Sequence, residues 1–422
     1  MVKTKNSAVK VVAFMLVLAL VVSLLAFIMP KQTVQVQAAT LDREPGLYEA
    51  GTTNQTHTWD ECLAKILDGK FENQYGWQLA ISTANADWFE GDLVLGSFDV
   101  EEINSIGAGW VFVNQFLKNC KKIVNVDVSK ADFGVVDTAG LFKDATSVES
   151  VNLGVGFKCT TSVTACSSFF SGCTNLKTIT GSFDLSNIED NSATFAYGDQ
   201  GNGVMVNMFE NCSSLETIDL TSLFSNANNI WSTYKMFSGC TSLKTAIIGN
   251  TLSDVQYLRY MFSGCTSLTK VTLEVPNDCD LDYTFQNCTS LESVDFSKVK
   301  LMAGEGLNTT FDGMTIKRII LGPEGMVVGG YRDIAAYLPT APSGAHYAVT
   351  TAPATAITEI YSADYGKTIE LFSDADNKSL APALETPVVP STGVVSNTVA
   401  IVIVAMSVIA LAVVSKKKKV AR

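Results

Sequence analysis

Apolar residues recur at fixed offsets from a cysteine throughout the middle of the chain. In "MFSGCTSLKTAII", Phe237 lies three positions before Cys240 and Leu243 lies three positions after it. In "LETIDL", apolar and polar residues then alternate through Ile218 and Leu220. A period of two predicts a short strand with one face directed inward. The pattern occurs in eight units, whose anchor positions are Cys120, Ala145, Cys173, Cys212, Cys240, Cys265, Cys288 and Met314.

The spacing of these anchors predicts a repeat solenoid. Six of the seven steps are 23–28 residues long, and the step of 39 contains a polar, glycine-bearing insert at residues 186–203. One unit of this length cannot bury its own apolar face, so units stack and cover one another. We therefore expect leucine-rich-repeat-like stacked coils over residues 111–322, with a parallel β-sheet and a cap at each end. The anchor position favours a compact apolar side chain, so its cysteines are interpreted as packing residues.

The repeated segments resemble the BspA-type leucine-rich repeats of bacterial surface proteins, in a variant with the pattern MF-x-x-C-x-x-L. The resemblance covers about half of the chain, in "MFENCSSLETIDL", "MFSGCTSLTKVTL" and "TFQNCTSLESVDF" among others. It implies a curved solenoid that attaches to host or microbial surfaces.

The flanks of the repeats are interpreted as caps. Residues 39–110 form the N-terminal cap, with a helix in "TWDECLAKILDG" that begins after Thr58, and strands in "GDLVLGSFDV" at 91–100. Residues 323–373 form the C-terminal cap, in which "YRDIAAYL" favours a helix and "KTIELFS" an extended strand. Residues 374–388 are mostly polar and proline-bearing, which suits a short spacer.

The first 38 residues have the features of an export signal. Three lysines precede an apolar run from Val11 to Met29, and small residues follow it. We place the cleavage after Ala38, with Ala39 as the alternative site. An uncleaved anchor is the other interpretation, because the apolar run is long for a signal peptide.

The last 34 residues combine a short motif, an apolar run and a basic end. Pro-x-Thr-Gly at Pro390–Gly393 precedes an apolar run at 394–414, which is long enough to span a bilayer, and then four lysines. Residues 389–422 resemble the LPXTG cell-wall sorting signal of Gram-positive surface proteins. The motif residues are Val389, Pro390, Ser391, Thr392 and Gly393, with Val389 in place of leucine.

The sorting-signal resemblance implies two partners, a sortase and a cell-wall precursor. The sortase cysteine would cleave between Thr392 and Gly393 and pass the Thr392 carbonyl to a cell-wall amine. An ordinary single-pass membrane anchor is the alternative.

The charge distribution argues against a nucleic-acid partner. Hydrophobic residues make up 47% of the chain and charged residues 17%, and the formal net charge is −12. Without the cations of residues 1–38 and 393–422 the remainder carries −21. Nucleic-acid binding requires a basic face that displaces counterions.

The sequence gives little support for metal, cofactor or thiol chemistry. It contains no C-x-x-C motif, and its two histidines, His57 and His346, both lie outside the repeats. We expect neither a metal nor a cofactor. The repeat cysteines are predicted to be free buried thiols, while Cys159 with Cys166, or Cys62 with a neighbour, could form a disulfide.

Five aromatic residues precede the anchors of consecutive units and form a candidate binding surface. Stacked coils would place them near one another, and tyrosine and tryptophan suit protein or carbohydrate binding. Semi-buried packing is the alternative interpretation. The five residues are Trp231, Tyr234, Tyr257, Tyr260 and Tyr283.

These features predict an exported, wall-anchored surface protein that binds a protein or glycan and carries no catalytic site. A first alternative is an enzyme whose N-terminal region contains the catalytic groups. Its titratable candidates, which no known motif connects, are Glu44, Glu49, His57, Asp60 and Glu61. A second alternative is a structural component of a surface layer.

Overall fold

The computed structural model describes residues 43–68, 71–73, 76–78, 80–97, 111–131, 138–159, 166–186, 203–225, 230–252, 254–304, 306–322, 326–328, 336–361 and 364–383. The predicted export signal at 1–38, the sorting signal at 389–422 and most of the 186–203 insert lie outside the described residues.

The N-terminal region combines a small sheet with one helix. Helix α1 begins where the sequence predicts, because Glu61 Oε2 accepts the Thr58 N–H at 2.9 Å and so caps the first turn. The helix buries Cys62 and Ile66. The elements are β1 (Gly46–Tyr48), β2 (Gln55–Thr58), α1 (Trp59–Asp68), β3 (Phe71–Asn73), β4 (Gly76–Gln78), a 3₁₀ turn (Ala86–Trp88) and β5 (Glu90–Val94).

The repeats form stacked coils, each with short strands. The elements in chain order are β6 (Val111–Phe112), β7 (Lys122–Asp127), β8 (Ser150–Asn152), β9 (Phe157–Lys158), β10 (Thr178–Thr180), β11 (Phe183–Asp184), β12 (Thr217–Asp219), α2 (Leu220–Leu223), β13 (Phe224–Ser225), β14 (Thr245–Gly249), β15 (Lys270–Leu273), β16 (Val275–Asp280), β17 (Ser293–Asp295), β18 (Val299–Gly304), α3 (Leu307–Thr310), β19 (Arg318–Ile320) and β20 (Met326–Val328).

The strand after each anchor pairs in parallel with its equivalent in the neighbouring coil, as the alternating pattern predicts. The pairing runs β10–β8–β7–β5 at one end, β12–β14–β15 in the middle and β17–β19 at the other end. Strand β5 belongs to the N-terminal region, so that region adds a further strand to the repeat sheet. A second set of short parallel strands follows the first, in β9–β11–β13 and β16–β18–β20.

The corner that contains each anchor is a third hydrogen-bonded side of the coil. The Phe237 N–H donates to the Met261 carbonyl at 2.8 Å, and the Gly239 N–H donates to the Ser263 carbonyl at 2.8 Å. The chain therefore runs around three sides, with backbone hydrogen bonds joining neighbouring coils on each side.

A column of stacked phenylalanines fills the core beside the anchors. Phe209 and Phe237 are stacked with ring centroids 5.2 Å apart, and Phe237 and Phe262 follow at 5.4 Å. These rings are fully buried, as are Leu243 and Leu268 on the far side of the anchors. The predicted apolar fillers before and after the cysteine are therefore confirmed.

The C-terminal cap covers the last coil with antiparallel strands. Its elements are β21 (Ala336–Tyr337), β22 (Ala345–Val349), β23 (Glu359–Ile360) and β24 (Thr368–Ser373), and β24 pairs with both β19 and β22. The extended prediction for "KTIELFS" is confirmed. Beyond it, the Leu380 N–H donates to the Leu371 carbonyl at 2.8 Å, so the first residues of the predicted spacer fold back on the cap.

The helix predicted in "YRDIAAYL" is wrong where the structure describes it. Ala336 and Tyr337 form β21, which pairs in antiparallel orientation with Glu359 and Ile360 of β23. A distant strand thus overrides the local helical preference of the segment.

Candidate functional site

The five predicted aromatic residues lie on three consecutive coils, in the stretch that leads into each anchor corner. All five are half-buried. Trp231 and Tyr257 are joined through the backbone, because the Tyr257 N–H donates to the Trp231 carbonyl at 3.1 Å. Their coils therefore align as the sequence predicts.

Three of the five form a continuous set of ring contacts, which we call the tyrosine row: Tyr234, Tyr260 and Tyr283. Tyr260 and Tyr283 are stacked, with ring centroids 4.8 Å apart and planes 5° apart. Tyr234 meets Tyr260 edge to face at 5.8 Å and 81°. The row follows the solenoid axis, and each of its residues belongs to a different coil.

The backbone at the row has an unusual conformation. Lys235, Tyr260 and Tyr283 have φ angles of +54°, +57° and +56°, in the left-handed region. Each lies five residues before its anchor, and the equivalent residues of earlier coils, Gln115, Gly140, Ser168 and Asn207, also have positive φ. The corner thus requires a left-handed residue there, and glycine meets this requirement without steric strain.

The left-handed backbone of Tyr260 and Tyr283 costs free energy, and their ring contacts oppose that cost. A left-handed conformation costs an ordinary L-residue about 1–2 kcal/mol. An aromatic pair contributes about 0.5–1.5 kcal/mol beyond its burial. Two left-handed tyrosines thus cost about 2–4 kcal/mol, which two ring contacts and the partial burial of both side chains offset.

Charged groups flank the row in balanced numbers. The Arg259 guanidinium lies 3.8 Å from Asp280 and 3.6 Å from Asp282, and Asp282 also accepts a hydrogen bond from the Thr309 hydroxyl at 2.9 Å. Lys235 Nζ lies 5.3 Å from the centre of the Tyr234 ring, a cation–π contact. Two cations and two carboxylates therefore surround the rings.

Burial raises the pKa of Tyr260, and the neighbouring Tyr283 ring raises it further. The phenol is therefore a hydrogen-bond donor at neutral pH, as an ordinary tyrosine is, and remains one to a higher pH.

The backbone N–H groups at the left-handed position are hydrogen-bonded between coils. The N–H groups of Lys235, Tyr260 and Tyr283 donate to carbonyls of the next coil, each at 3.2 Å. A partner at this surface would therefore meet side chains rather than free backbone donors.

The anchor cysteines are buried, as predicted, and they also form hydrogen bonds that sequence reasoning missed. Five thiols donate to the phenylalanine carbonyl of the preceding coil at 3.0–3.2 Å: Cys173 to Phe142, Cys212 to Phe170, Cys240 to Phe209, Cys265 to Phe237, and Cys288 to Phe262. Burial raises the pKa of the Cys240 thiol to about 12. These thiols are therefore poor nucleophiles in the folded protein.

Of the disulfides that the sequence left open, the structure contains one. Cys159 and Cys166 are bonded, with their Cα atoms 6.2 Å apart. Cys62 is a free, buried thiol.

The N-terminal titratable residues do not form one catalytic cluster. His57 Nδ1 lies 3.5 Å from Glu61 Oε2, but that carboxylate also caps helix α1. Glu44 pairs with Lys130 at 3.4 Å, and Glu49 accepts the Asn54 amide at 3.0 Å. Among the residues that the structure describes, no group of three or more His, Cys, Asp or Glu could hold a metal ion.

An open cleft of about 820 Å³ lies between the last coil and the C-terminal cap. Asn308 and Asp312 line it from the coil, and Pro339 and Thr340 line it from the cap. Its charged pair, Lys317 and Glu292, is already joined by an ion pair. The cleft is mostly polar, unlike the apolar concave sites that usually hold small ligands.

Comparison with protein families supports a BspA-like leucine-rich-repeat protein. Residues 204–324 match the BspA type leucine rich repeat region, in six copies. Residues 79–204 match a family described as "Mycoplasma protein of unknown function, DUF285". No curated protein shows significant similarity to the chain.

Solved structures similar to the chain are leucine-rich-repeat and surface proteins at low identity. An internalin (inlF) from Listeria monocytogenes is 13% identical over 57% of this chain and 64% of its own length, with a TM-score of 0.23. A leucine-rich repeat protein from Bacteroides ovatus is 13% identical over 59% of this chain and 87% of its own, with a TM-score of 0.16. A leucine rich cell surface protein from Faecalibacterium prausnitzii is 12% identical over 58% of this chain and 77% of its own length, with a TM-score of 0.19.

Proposed function

We propose, from a repeat region similar to BspA-type leucine-rich repeats, that this chain is an exported surface protein that binds a protein or glycan partner. The solenoid provides a rigid frame, and the tyrosine row is its binding surface. The chain carries no catalytic site in this proposal. Attachment of the cell to a surface through that partner is the biological role that follows.

One observation carries this proposal: large side chains occupy the strained left-handed position of three consecutive coils. Lys235, Tyr260 and Tyr283 lie at a left-handed position that earlier coils fill with Gln115, Gly140, Ser168 and Asn207, so aromatic rings at this position are particular to two consecutive coils. Residues in costly backbone conformations concentrate at functional sites. Tyrosine also offers a large, rigid contact area with a polar tip, which suits recognition at a surface.

A binding assay with matched variants tests the role of the row. Full-length protein is applied to immobilised matrix proteins, mucins and glycans. The double variant Tyr260→Asn with Tyr283→Asn removes both rings while keeping residues that tolerate positive φ. We expect it to lose at least tenfold in affinity for whichever target the unaltered chain binds.

The control for this assay is Ser168→Asn, at the same left-handed position of an earlier coil, where φ is +54°. It should bind as the unaltered chain does. If the double variant also retains full affinity while thermal unfolding shows it to be folded, the tyrosine row is not the binding surface.

We further propose that a sortase anchors the chain to the cell wall through Val389–Gly393. These residues and the apolar run at 394–414 lie outside the described part of the chain, so the proposal rests on the sequence pattern. In the part of the chain that the structure describes, no helix has the length and apolar character to cross a membrane.

Fractionation of cells that express Thr392→Ala tests the anchoring. The sortase reaction needs the Thr392–Gly393 bond, so the variant should remain in the membrane fraction while the unaltered chain is recovered with peptidoglycan. Ser391→Ala, at the variable position of the motif, should stay attached to the wall. Unchanged wall attachment of Thr392→Ala would refute the sorting assignment.

A further inference from the structure

We infer that the tyrosine row binds a neutral, linear glycan laid along the solenoid axis. This inference rests on the proposed function, because it assumes that the row is the binding surface, and it adds the chemical class of the ligand.

The charge around the row favours a neutral ligand. Arg259 lies within 3.6–3.8 Å of Asp280 and Asp282, and Lys235 lies over the Tyr234 ring. The four charges sum to zero, so the site has no net charge that would select an ion. The chain as a whole carries −12, which further disfavours an acidic polymer.

The groups available for contact favour a sugar over a peptide strand. A peptide that adds to a sheet edge needs free backbone donors, but the N–H groups of Lys235, Tyr260 and Tyr283 are bonded to the next coil. A sugar needs only side chains. Because Tyr260 and Tyr283 cover one face of each other, its C–H groups would contact the outer parts of the rings, and its hydroxyl groups both donate and accept hydrogen bonds.

The polar groups beside the rings match that requirement. Arg259 offers N–H donors, the Asp280 carboxylate is an acceptor that also takes the Asp282 N–H at 2.9 Å, and the Tyr260 phenol can both donate and accept. Donors and acceptors thus lie together at one surface, as recognition of neighbouring hydroxyl groups requires.

The direction of the row favours a chain of repeated units. Tyr234, Tyr260 and Tyr283 come from three consecutive coils, with ring centroids 5.8 and 4.8 Å apart. A tyrosine side chain therefore recurs on each coil along the solenoid axis. A linear oligosaccharide can use all three rings, whereas a compact molecule would meet one or two.

A glycan array followed by calorimetry tests this inference with the full-length chain. The neutral probes are cellohexaose, chitohexaose, maltohexaose and xylohexaose, and the acidic probes are oligomers of polygalacturonate and hyaluronate. We expect at least one neutral hexasaccharide to bind at least tenfold more tightly than either acidic oligomer. We also expect less than a twofold change in affinity between 50 and 500 mM NaCl, because no net charge is neutralised on binding.

Variants then locate the binding site. Tyr283→Asn and Tyr260→Asn should each weaken binding of the neutral glycan at least tenfold. Tyr283→Phe keeps the ring and should weaken binding less than Tyr283→Asn. Ser168→Asn is the control at the matching position and should leave the affinity unchanged.

The outcomes separate this inference from the proposed function. If the row variants abolish binding to a protein target and no neutral glycan binds, the inference fails and the proposed function stands. The inference also fails if the chain prefers an acidic oligomer. It fails likewise if a neutral glycan binds but the row variants leave its affinity unchanged. If no protein, mucin or glycan depends on the row, the proposed function fails with it.

Discussion

At the anchor position of each coil, one cysteine side chain fills space and donates a hydrogen bond. The Phe209 carbonyl, for example, accepts the Cys212 N–H of its own coil at 3.1 Å and the Cys240 thiol of the next at 3.1 Å. A carbonyl oxygen has two lone pairs, so both donors are accommodated. The thiol therefore joins consecutive coils as well as filling the corner between Phe237 and Leu243.

The hydrogen-bonding role predicts an order of stability among variants of Cys240. Cys240→Ala should reduce the free energy of unfolding by about 1–2 kcal/mol, from the lost hydrogen bond and the lost contact area. Cys240→Ser keeps a donor and should be at least as stable as Cys240→Ala in urea unfolding. If the thiol only fills space, the serine variant should be the less stable one, because it buries a polar hydroxyl.

At the scale of the repeat element, the residue directly before the anchor explains a feature of the sequence. This position has positive φ in seven coils, and every residue found there tolerates it: Asp144, Gly172, Asn211, Gly239, Gly264, Asn287 and Gly313. The variants "SGC", "ENC" and "QNC" therefore meet one backbone requirement in different ways.

Substitution of Gly264 tests that requirement. A Cβ added there would lie no closer than 3.7 Å to any atom, so the cost is conformational rather than steric. Gly264→Ala should reduce the free energy of unfolding by about 1–2 kcal/mol. Gly264→Asn should cost less, because Asn211 and Asn287 occupy the same position. Equal losses in thermal unfolding would contradict this explanation.

In the C-terminal cap, His346 provides a pH-dependent contact. Its Nδ1 lies 2.7 Å from Asp374 Oδ1, and its Nε2 lies 2.8 Å from the Pro353 carbonyl. Both partners are acceptors, so the charged imidazolium, with two N–H donors, fits best. The hydrogen bond to Pro353 and then that to Asp374 raise the pKa of His346 above its ordinary value of 6.5.

A raised pKa means that protonation stabilises the fold. This contribution is fully present below pH 6.5 and is lost as the pH rises through the higher pKa of the folded state. The difference in Tm between the unaltered chain and His346→Gln should therefore be larger at pH 5.5 than at pH 8.5. A difference that does not change with pH would show that the histidine contributes by shape alone.

At the scale of the whole molecule, an exposed last coil is the main liability of a solenoid. The C-terminal cap removes it by pairing β24 with β19, and a buried ion pair between Arg318 and Glu370 joins the two strands. Ser379, from the segment that folds back, donates to the same carboxylate. The cap is thus held to the last coil by backbone hydrogen bonds between β24 and β19 and by the Arg318–Glu370 ion pair.

Breaking this pair should destabilise the cap more than replacing it. Glu370→Gln leaves Arg318 buried without its counter-charge and should cost about 3–5 kcal/mol. The double variant Arg318→Met with Glu370→Leu should recover much of that loss. Urea unfolding gives the free energies, and hydrogen exchange of β19 and β24 shows whether the cap opens first. A double variant as unstable as the single one would contradict this account.

The repeat, its packing positions and the five aromatic candidates were all predictable from the amino-acid sequence. Each unit repeats the same local pattern, so Phe237, Leu243 and the alternating strand residues can be assigned from one coil and transferred to the others. Helix α1 was also predictable, because its capping box and apolar spacing lie within ten consecutive residues.

Contacts between residues about 25 positions apart could be identified only from the folded structure. The stacked Tyr260 and Tyr283 rings, the thiol–carbonyl bonds and the parallel pairing of β5 with β7 depend on coil alignment, which in turn depends on left-handed corner residues. The strand at Ala336–Tyr337 forms because β23 pairs with it. Such contacts leave no local periodicity in the sequence, since the physical cause of each lies in another coil or strand.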